Sequence, residues 1–98
     1  MLDLPCGTGR FSQLVADCGH RLIRADLSYP MVAHARRLGP SEHVIGDLCC
    51  DLAQPPLKPG SVDVVLVWRL FHHCRLPEDR QSVFEQARRL ARRYLIVS

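Results

Sequence analysis

The sequence predicts an α/β fold with a doubly wound parallel sheet. Three observations carry this. Short apolar runs alternate with amphipathic stretches in the order β-α-β-α-β-loop-β-α-β. The stretches between runs are long enough to be crossovers, which join parallel strands with right-handed connections. The run Val62 to Val67 (Val-Asp-Val-Val-Leu-Val) has the nearly unbroken β-branched character of a strand covered on both faces.

Each element has its own signal. Met1 to Leu4 reads as the end of a first strand, and Pro5 to Gly9 as a tight loop. From Arg10 to Cys18, the residues Phe11, Leu14, Val15 and Cys18 fall on one helical face, and Gly19 stops that helix. Arg21 to Asp26 is a second strand centred on Leu22-Ile23. Ser28 is a good N-cap, Pro30 suits a first turn, and Met31, Ala35 and Leu38 share a face until Gly39-Pro40. His43 to Gly46 is a short third strand. Leu48 to Gly60, with three prolines, is loop. Pro77-Glu78-Asp79 opens the last helix with acidic residues where the helix dipole favours them. Val83, Ala87, Leu90 and Ala91 form its inner face, and Tyr94 to Val97 is the fifth strand.

Ninety-eight residues make one domain, spanning 1–98, with one modest core. An apolar fraction of 47% against 23% charged excludes intrinsic disorder. No apolar run approaches the ~20 residues of a membrane span. No basic-then-apolar signal pattern opens the chain, so the expected compartment is the cytoplasm. The net charge of +3 is a weak bias. The densest basic group, Arg88, Arg89, Arg92 and Arg93, reads as a solvated helix end complementing the dipole, and nucleic acid is not an expected partner. The cysteines at 6, 18, 49, 50 and 74 contain no CxxC pair, so they read as reduced thiols, mostly small core residues, with no metal site.

In open α/β sheets the ligand sits beyond the carboxyl ends of the strands. Here those ends carry Asp3 and the loop Pro5-Cys6-Gly7-Thr8-Gly9, then Asp26, then Asp47, then Val67, Trp68 and Arg69. Gly7 and Gly9 let backbone approach a ligand where a Cβ would clash. Asp26, 23 residues beyond Asp3, is placed to accept from both hydroxyls of a ribose. Gly7-x-Gly9-x-x-Ser12 is one glycine short of the dinucleotide fingerprint, and no Gly-Lys-Ser/Thr follows. Asp3 is awkward for a diphosphate and suits a cationic ligand, such as an amino acid carried on a nucleoside with an ammonium and a sulfonium.

In these motifs the chain resembles a class I S-adenosylmethionine-dependent methyltransferase domain of the type 11 kind. Leu2-Asp3-Leu4-Pro5-Cys6-Gly7-Thr8-Gly9 is similar to the family's first motif, and Ala25-Asp26-Leu27-Ser28-Tyr29-Pro30-Met31 to its second-strand end. Gly46-Asp47 resembles the third, Pro59-Gly60-Ser61-Val62-Asp63-Val64-Val65-Leu66 the fourth, and His72-His73 the pair that often follows it. The resemblance implies a Rossmann-like sheet of order 3-2-1-4-5, and S-adenosyl-L-methionine as cofactor. Asp3 and the backbone of Pro5, Cys6, Gly7 and Gly9 would hold the methionine moiety. Asp26 would bind the ribose, with Leu27 and Met31 beside the adenine. Asp47 would accept from the adenine amino group, with Leu48 nearby, and Val67 and Trp68 would line the floor near the methyl. The acceptor would be a small molecule, methylated by in-line displacement.

Several residues carry a second, structural reading. Asp3 could cap the helix near Arg10, Asp26 could replace Ser28 as N-cap, Asp47 could form an Asx turn, and Met31 could be core. Asp63 reads as structural. His72 and His73 are the candidate catalytic bases, about 100° apart if helical, so one faces the pocket. Their alternative is packing after the fourth strand. Arg69 could pair an anionic acceptor or a structural carboxylate.

The sequence departs from the family pattern at Pro5, in place of a glycine, and at Ala91-Arg92-Arg93, in place of a Gly-Gly turn. The family's preceding helix and its carboxyl-terminal antiparallel strand pair are also missing. The chain thus reads as a truncated domain whose fifth strand is an exposed apolar edge, open to self-association. Two further functions compete: a catalytically inert cofactor-binding or interaction fragment, and a nicotinamide-dinucleotide domain.

Overall fold

The computed structural model describes residues 1–39 and 42–98, with the backbone but not the side chain of His72. Five parallel strands form one sheet in the order β3-β2-β1-β4-β5. They are β1 (Leu2–Asp3), β2 (Leu22–Asp26), β3 (Val44–Cys49), β4 (Val62–Val67) and β5 (Ala91–Val97). The helices are α1 (Ser12–Asp17), α2 (Tyr29–Leu38) and α3 (Pro77–Leu90), with a 3-10 turn at Phe71–His73. The α/β class and the strand order agree with the sequence expectation.

Although β1 has two residues, it is the central strand. Leu2 pairs with Ile23 and Val65, and Asp3 with Arg24 and Leu66. Leu4 and Cys6 then donate their amides to Leu66 and Ala25, which carries the pairing into the loop. Leu2 and Leu4 point to one face, where they meet Ala25, Val65, Val83 and Leu90 in the main core beneath α3. Asp3 points to the other face, as strand alternation requires. That face is thinly filled, by a cluster of Cys6, Val32 and Ala35 together with the buried Arg24 and Ser12.

The details differ from expectation in several places. The first helix starts at Ser12, after a turn led by Gly9, so Ser12 and Val15 face the sheet while Leu14 and Cys18 are exposed. Gly19 ends it at φ +77°, a backbone that favours glycine. In α2, capped by Ser28 on the Met31 amide, Val32 and Ala35 turn inward and Met31 and Leu38 outward. The expected terminator Pro40 lies outside the described residues. The third strand runs to Cys49 because Asp47, Leu48 and Cys49 pair with Arg24, Ala25 and Asp26. Asp47 is therefore inside β3 and does not follow it.

α3 passes directly into β5, whose Ala91 pairs with Val62, so no turn intervenes. Only Arg88 and Arg89 end the helix; Arg92 lies in the strand, 3.8 Å from Asp63, where both are exposed and the pair adds little. β4 has Val65, Leu66 and Val67 buried, with Asp63 open. All five cysteines are free thiols, but only Cys6 is buried. Among the described residues no metal-binding cluster is found, and no helix is long and apolar enough to cross a membrane.

Candidate cofactor site

The carboxyl end of β1 brings the site together. Asp3 is 1% exposed, and neither carboxylate oxygen has a hydrogen-bond partner among the described residues. Arg24 is its register partner, yet donates to Asp47 instead. An unpaired buried carboxylate is costly when charged. Burial, and then the neighbouring Asp26 carboxylate, pushes the Asp3 carboxyl up to about 7. The donor that this carboxylate lacks among the described residues is one that a ligand ammonium could supply.

The loop after β1 shows why two glycines are needed. At Gly7, φ is +53° and an added Cβ would meet nothing within 4 Å, so this glycine faces open space. At Gly9, φ is +86° and an added Cβ would lie 3.1 Å from both Ala35 Cβ and Ser12 Oγ. The first leaves a cradle that a side chain would fill, and the second is packed against α2 and the start of α1. The close approach that calls for a glycine at position 9 is therefore to α2 and the start of α1. Cys6 is buried behind the loop. Burial, with Asp3 and Asp26, pushes its thiol up to about 12, so it is an inert wall.

Asp26 ends β2 and holds the loop. Its Oδ2 accepts the Gly7 amide and its Oδ1 the Ser28 amide, each at 2.9 Å. Ser28, and not Asp26, caps α2. Each carboxylate oxygen has a second acceptor site, which suits a vicinal diol. Beside it Leu27, Tyr29 and Met31 are exposed apolar groups.

On the third strand the expected geometry changes. Asp47 receives Arg24 Nε on Oδ1 at 2.6 Å and Arg24 Nη2 on Oδ2 at 3.1 Å, a bidentate buried pair. Leu48 turns to the opposite face and packs on the α3 core. The carboxylate that follows β3 is Asp51, exposed, with Oδ1 accepting the Ala53 amide. Cys50 donates to the Asp26 carbonyl, which ties this segment to the end of β2.

On the other side, Val67 is fully buried at the end of β4, and Trp68 packs edge-on against Phe11, with centroids 5.3 Å apart. This pair joins the end of β4 to the cradle loop. Arg69 follows at φ +54°, the one non-glycine positive φ among the described residues. His73 is exposed in the 3-10 turn; the side chain of His72 lies outside the described residues.

Sequence reasoning missed Arg24, Asp51 and Phe11. A charged residue inside an otherwise apolar strand was the available signal for Arg24. A second aspartate four residues beyond Asp47 was the signal for Asp51. An apolar hollow at the amino ends of β2 and β4, lined by residues such as Ile23, Ile45, Val62 and Tyr94, includes none of these groups in its lining.

A methyltransferase-domain family model matches residues 2–95. A probable S-adenosylmethionine-dependent methyltransferase of Mycolicibacterium smegmatis is 34% identical over 73 residues, 74% of this chain and 27% of that protein. The 18S rRNA (guanine-N7)-methyltransferase of Schizosaccharomyces pombe is 32% identical over 95 residues, 88% of this chain and 34% of that protein. The crystal structure of an S-adenosylmethionine-dependent methyltransferase from Mesorhizobium loti superposes with a TM-score of 0.74 at 26% identity, over 92% of this chain and 40% of that one. The chain thus spans about a third of the length of these curated relatives. An rRNA enzyme among them leaves the expected exclusion of nucleic acid unsupported. Family membership implies S-adenosyl-L-methionine, and the orphaned Asp3 carboxylate beside the open Gly7 backbone fits that cation. On this sequence match and this fold, the chain belongs to the class I S-adenosylmethionine-dependent methyltransferase domains.

Proposed function

We propose that this chain is the cofactor-binding and methyl-transferring part of an S-adenosylmethionine-dependent methyltransferase acting on a small-molecule acceptor. The observation that carries the reading is Asp3: two buried oxygens without a partner among the described residues, at the central strand's end and beside the glycine cradle. Asp3 accepts from the ligand ammonium. The backbone of Pro5, Cys6, Gly7 and Gly9 would hold the methionine moiety. Asp26, held by the Gly7 and Ser28 amides, accepts from the ribose hydroxyls. Leu27 and Met31 flank the adenine. Asp51 takes the role first given to Asp47, because Asp47 is committed to Arg24.

The bound sulfonium supplies an activated methyl group with its leaving group attached. Positioning is then most of the catalysis. Trp68 and Phe11 wall the reacting side and exclude water, and Val67, buried in the main core at the end of β4, anchors the strand that carries Trp68. His72 and His73 are the base candidates for an acceptor that starts protonated. Location in the cytoplasm, and self-association through the exposed Tyr94, Ile96 and Val97 of β5, belong to the same proposal.

Transfer of labelled methyl from S-adenosylmethionine tests this, with a small-molecule panel, rRNA and malonyl-acyl-carrier protein as acceptors. The last two are taken from the names of relatives in Schizosaccharomyces pombe and Hamiltonella defensa. Label in a small molecule, lost with Asp26→Ala, is expected. Label in RNA or in the carrier protein alone would contradict the acceptor class.

A further inference from the structure

Arg24 is 1% exposed in the middle of β2. A buried guanidinium has five donors to satisfy. Nε and Nη2 take the two oxygens of Asp47, at 2.6 and 3.1 Å. Nη1 reaches the Ala35 carbonyl at 2.9 Å and makes a longer contact, 3.4 Å, with Ser12 Oγ. One side chain thus ties β3, the first residue of α1 and the second half of α2 to the same strand.

Nη1 reaches three groups: the Gly39 carbonyl at 3.5 Å, and two that belong to the residues against which Gly9 is seated. A Cβ on Gly9 would stand 3.1 Å from Ala35 Cβ and from Ser12 Oγ. Gly9 closes the loop whose Gly7 amide is bonded to Asp26, and Asp26 lies two residues from Arg24 on the same face of β2. Arg24 therefore lies one layer beneath the cradle.

Stability alone does not call for charge here. Replacing both partners of a buried ion pair with apolar side chains of similar volume is often neutral or stabilising. The apolar cluster on this face, Cys6, Val32 and Ala35, is small and would accept such a pair.

We propose that Arg24 is a positioning residue: through Ser12 and Ala35 it fixes the seat of Gly9, and so holds the Pro5–Gly9 loop in the geometry that binds cofactor. This rests on reading that loop as the cofactor cradle.

The test compares wild type with the Arg24→Met, Asp47→Leu double variant in this same chain. Thermal melting reads stability, calorimetry reads S-adenosylhomocysteine affinity, and the emission of Trp68, the single tryptophan, reads the loop. Trp68 packs on Phe11, which immediately precedes Ser12. The expected result is a folded double variant with at least tenfold weaker binding and altered Trp68 emission. Binding within twofold of wild type, with unchanged emission, would overturn the positioning role. If the double variant does not fold, Ser12→Ala serves, and unchanged affinity there overturns the role equally. A folded wild type that binds nothing would instead remove the cradle reading, and this inference with it.

Discussion

The amide of Gly7 donates to Asp26 Oδ2 at 2.9 Å across 19 residues of sequence. This bond joins the loop after β1 to the end of β2, the two segments proposed to meet the cofactor. It orients a carboxylate for a diol and fixes the open side of the loop in one step.

The two loop glycines are expected to fail differently. Gly7→Ala puts a Cβ into open space at φ +53°, so its cost in the free protein is the left-handed backbone strain, about 1–2 kcal/mol. Its larger effect is on S-adenosylhomocysteine binding, where the Cβ fills the cradle. Gly9→Ala carries the same strain and also presses on Ala35 and Ser12 at 3.1 Å. Melting temperatures and calorimetric affinities on both variants check this: Gly9→Ala loses more stability, while Gly7→Ala keeps its fold and loses binding.

Asp3 makes stability depend on pH. Its carboxyl titrates at 3.8 when unfolded and at about 7 when folded. Between those values the folded state retains a proton that the unfolded state has released. The Asp3 contribution is therefore fully present below about pH 4 and is lost as pH rises to about 7. A ligand ammonium reverses the preference, so affinity for S-adenosylhomocysteine rises over the same window. Asp3→Asn should flatten both dependences. Urea melts and calorimetry at pH 5, 6, 7 and 8 measure them, and parallel curves for wild type and Asp3→Asn would contradict the assignment.

Asp47 and Asp51 should separate stability from binding. Asp47→Ala leaves Arg24 buried and unpaired, a loss of about 3–5 kcal/mol. Asp51→Ala removes one hydrogen bond to the Ala53 amide, about 1 kcal/mol, and weakens ligand binding severalfold. Denaturant unfolding and calorimetry on the two variants decide between them.

The thiols should sort by exposure. Iodoacetamide on the native chain is expected to label Cys18 and Cys49 and to spare Cys6, whose thiol is both buried and pushed up to about 12. Mass spectrometry of the labelled peptides reads the order.

The parallel α/β class, β4 and the ends of β1 and β2 were legible because they rest on local signals: β-branched runs, Gly19, Ser28 and the acidic strand ends; the sheet order came only from the family resemblance. The inner face of α3 was legible too, with Val83, Ala87 and Leu90 buried as expected. The faces of α1 and α2 were legible only in part: periodicity named Val15 and Ala35 correctly but added Leu14 and Met31, because the turn led by Gly9 and the cap at Ser28 set each helix's rotation, bringing Ser12 and Val32 inward. β3 was read three residues short because Leu48-Cys49 has no alternation, and its pairing with Ala25 and Asp26 extends it. Asp47 was misplaced for the same reason: only strand register shows that it stands opposite Arg24 and not beyond the strand.

The cofactor site stands or falls on calorimetric titration of S-adenosylhomocysteine into this chain, alongside Asp26→Ala. Micromolar binding by the wild type is expected, with at least tenfold weaker binding by the variant, a difference of about 1.4 kcal/mol. A folded wild type with no binding heat, or a variant that binds as tightly, would contradict the cofactor site described for Asp3, Gly7 and Asp26.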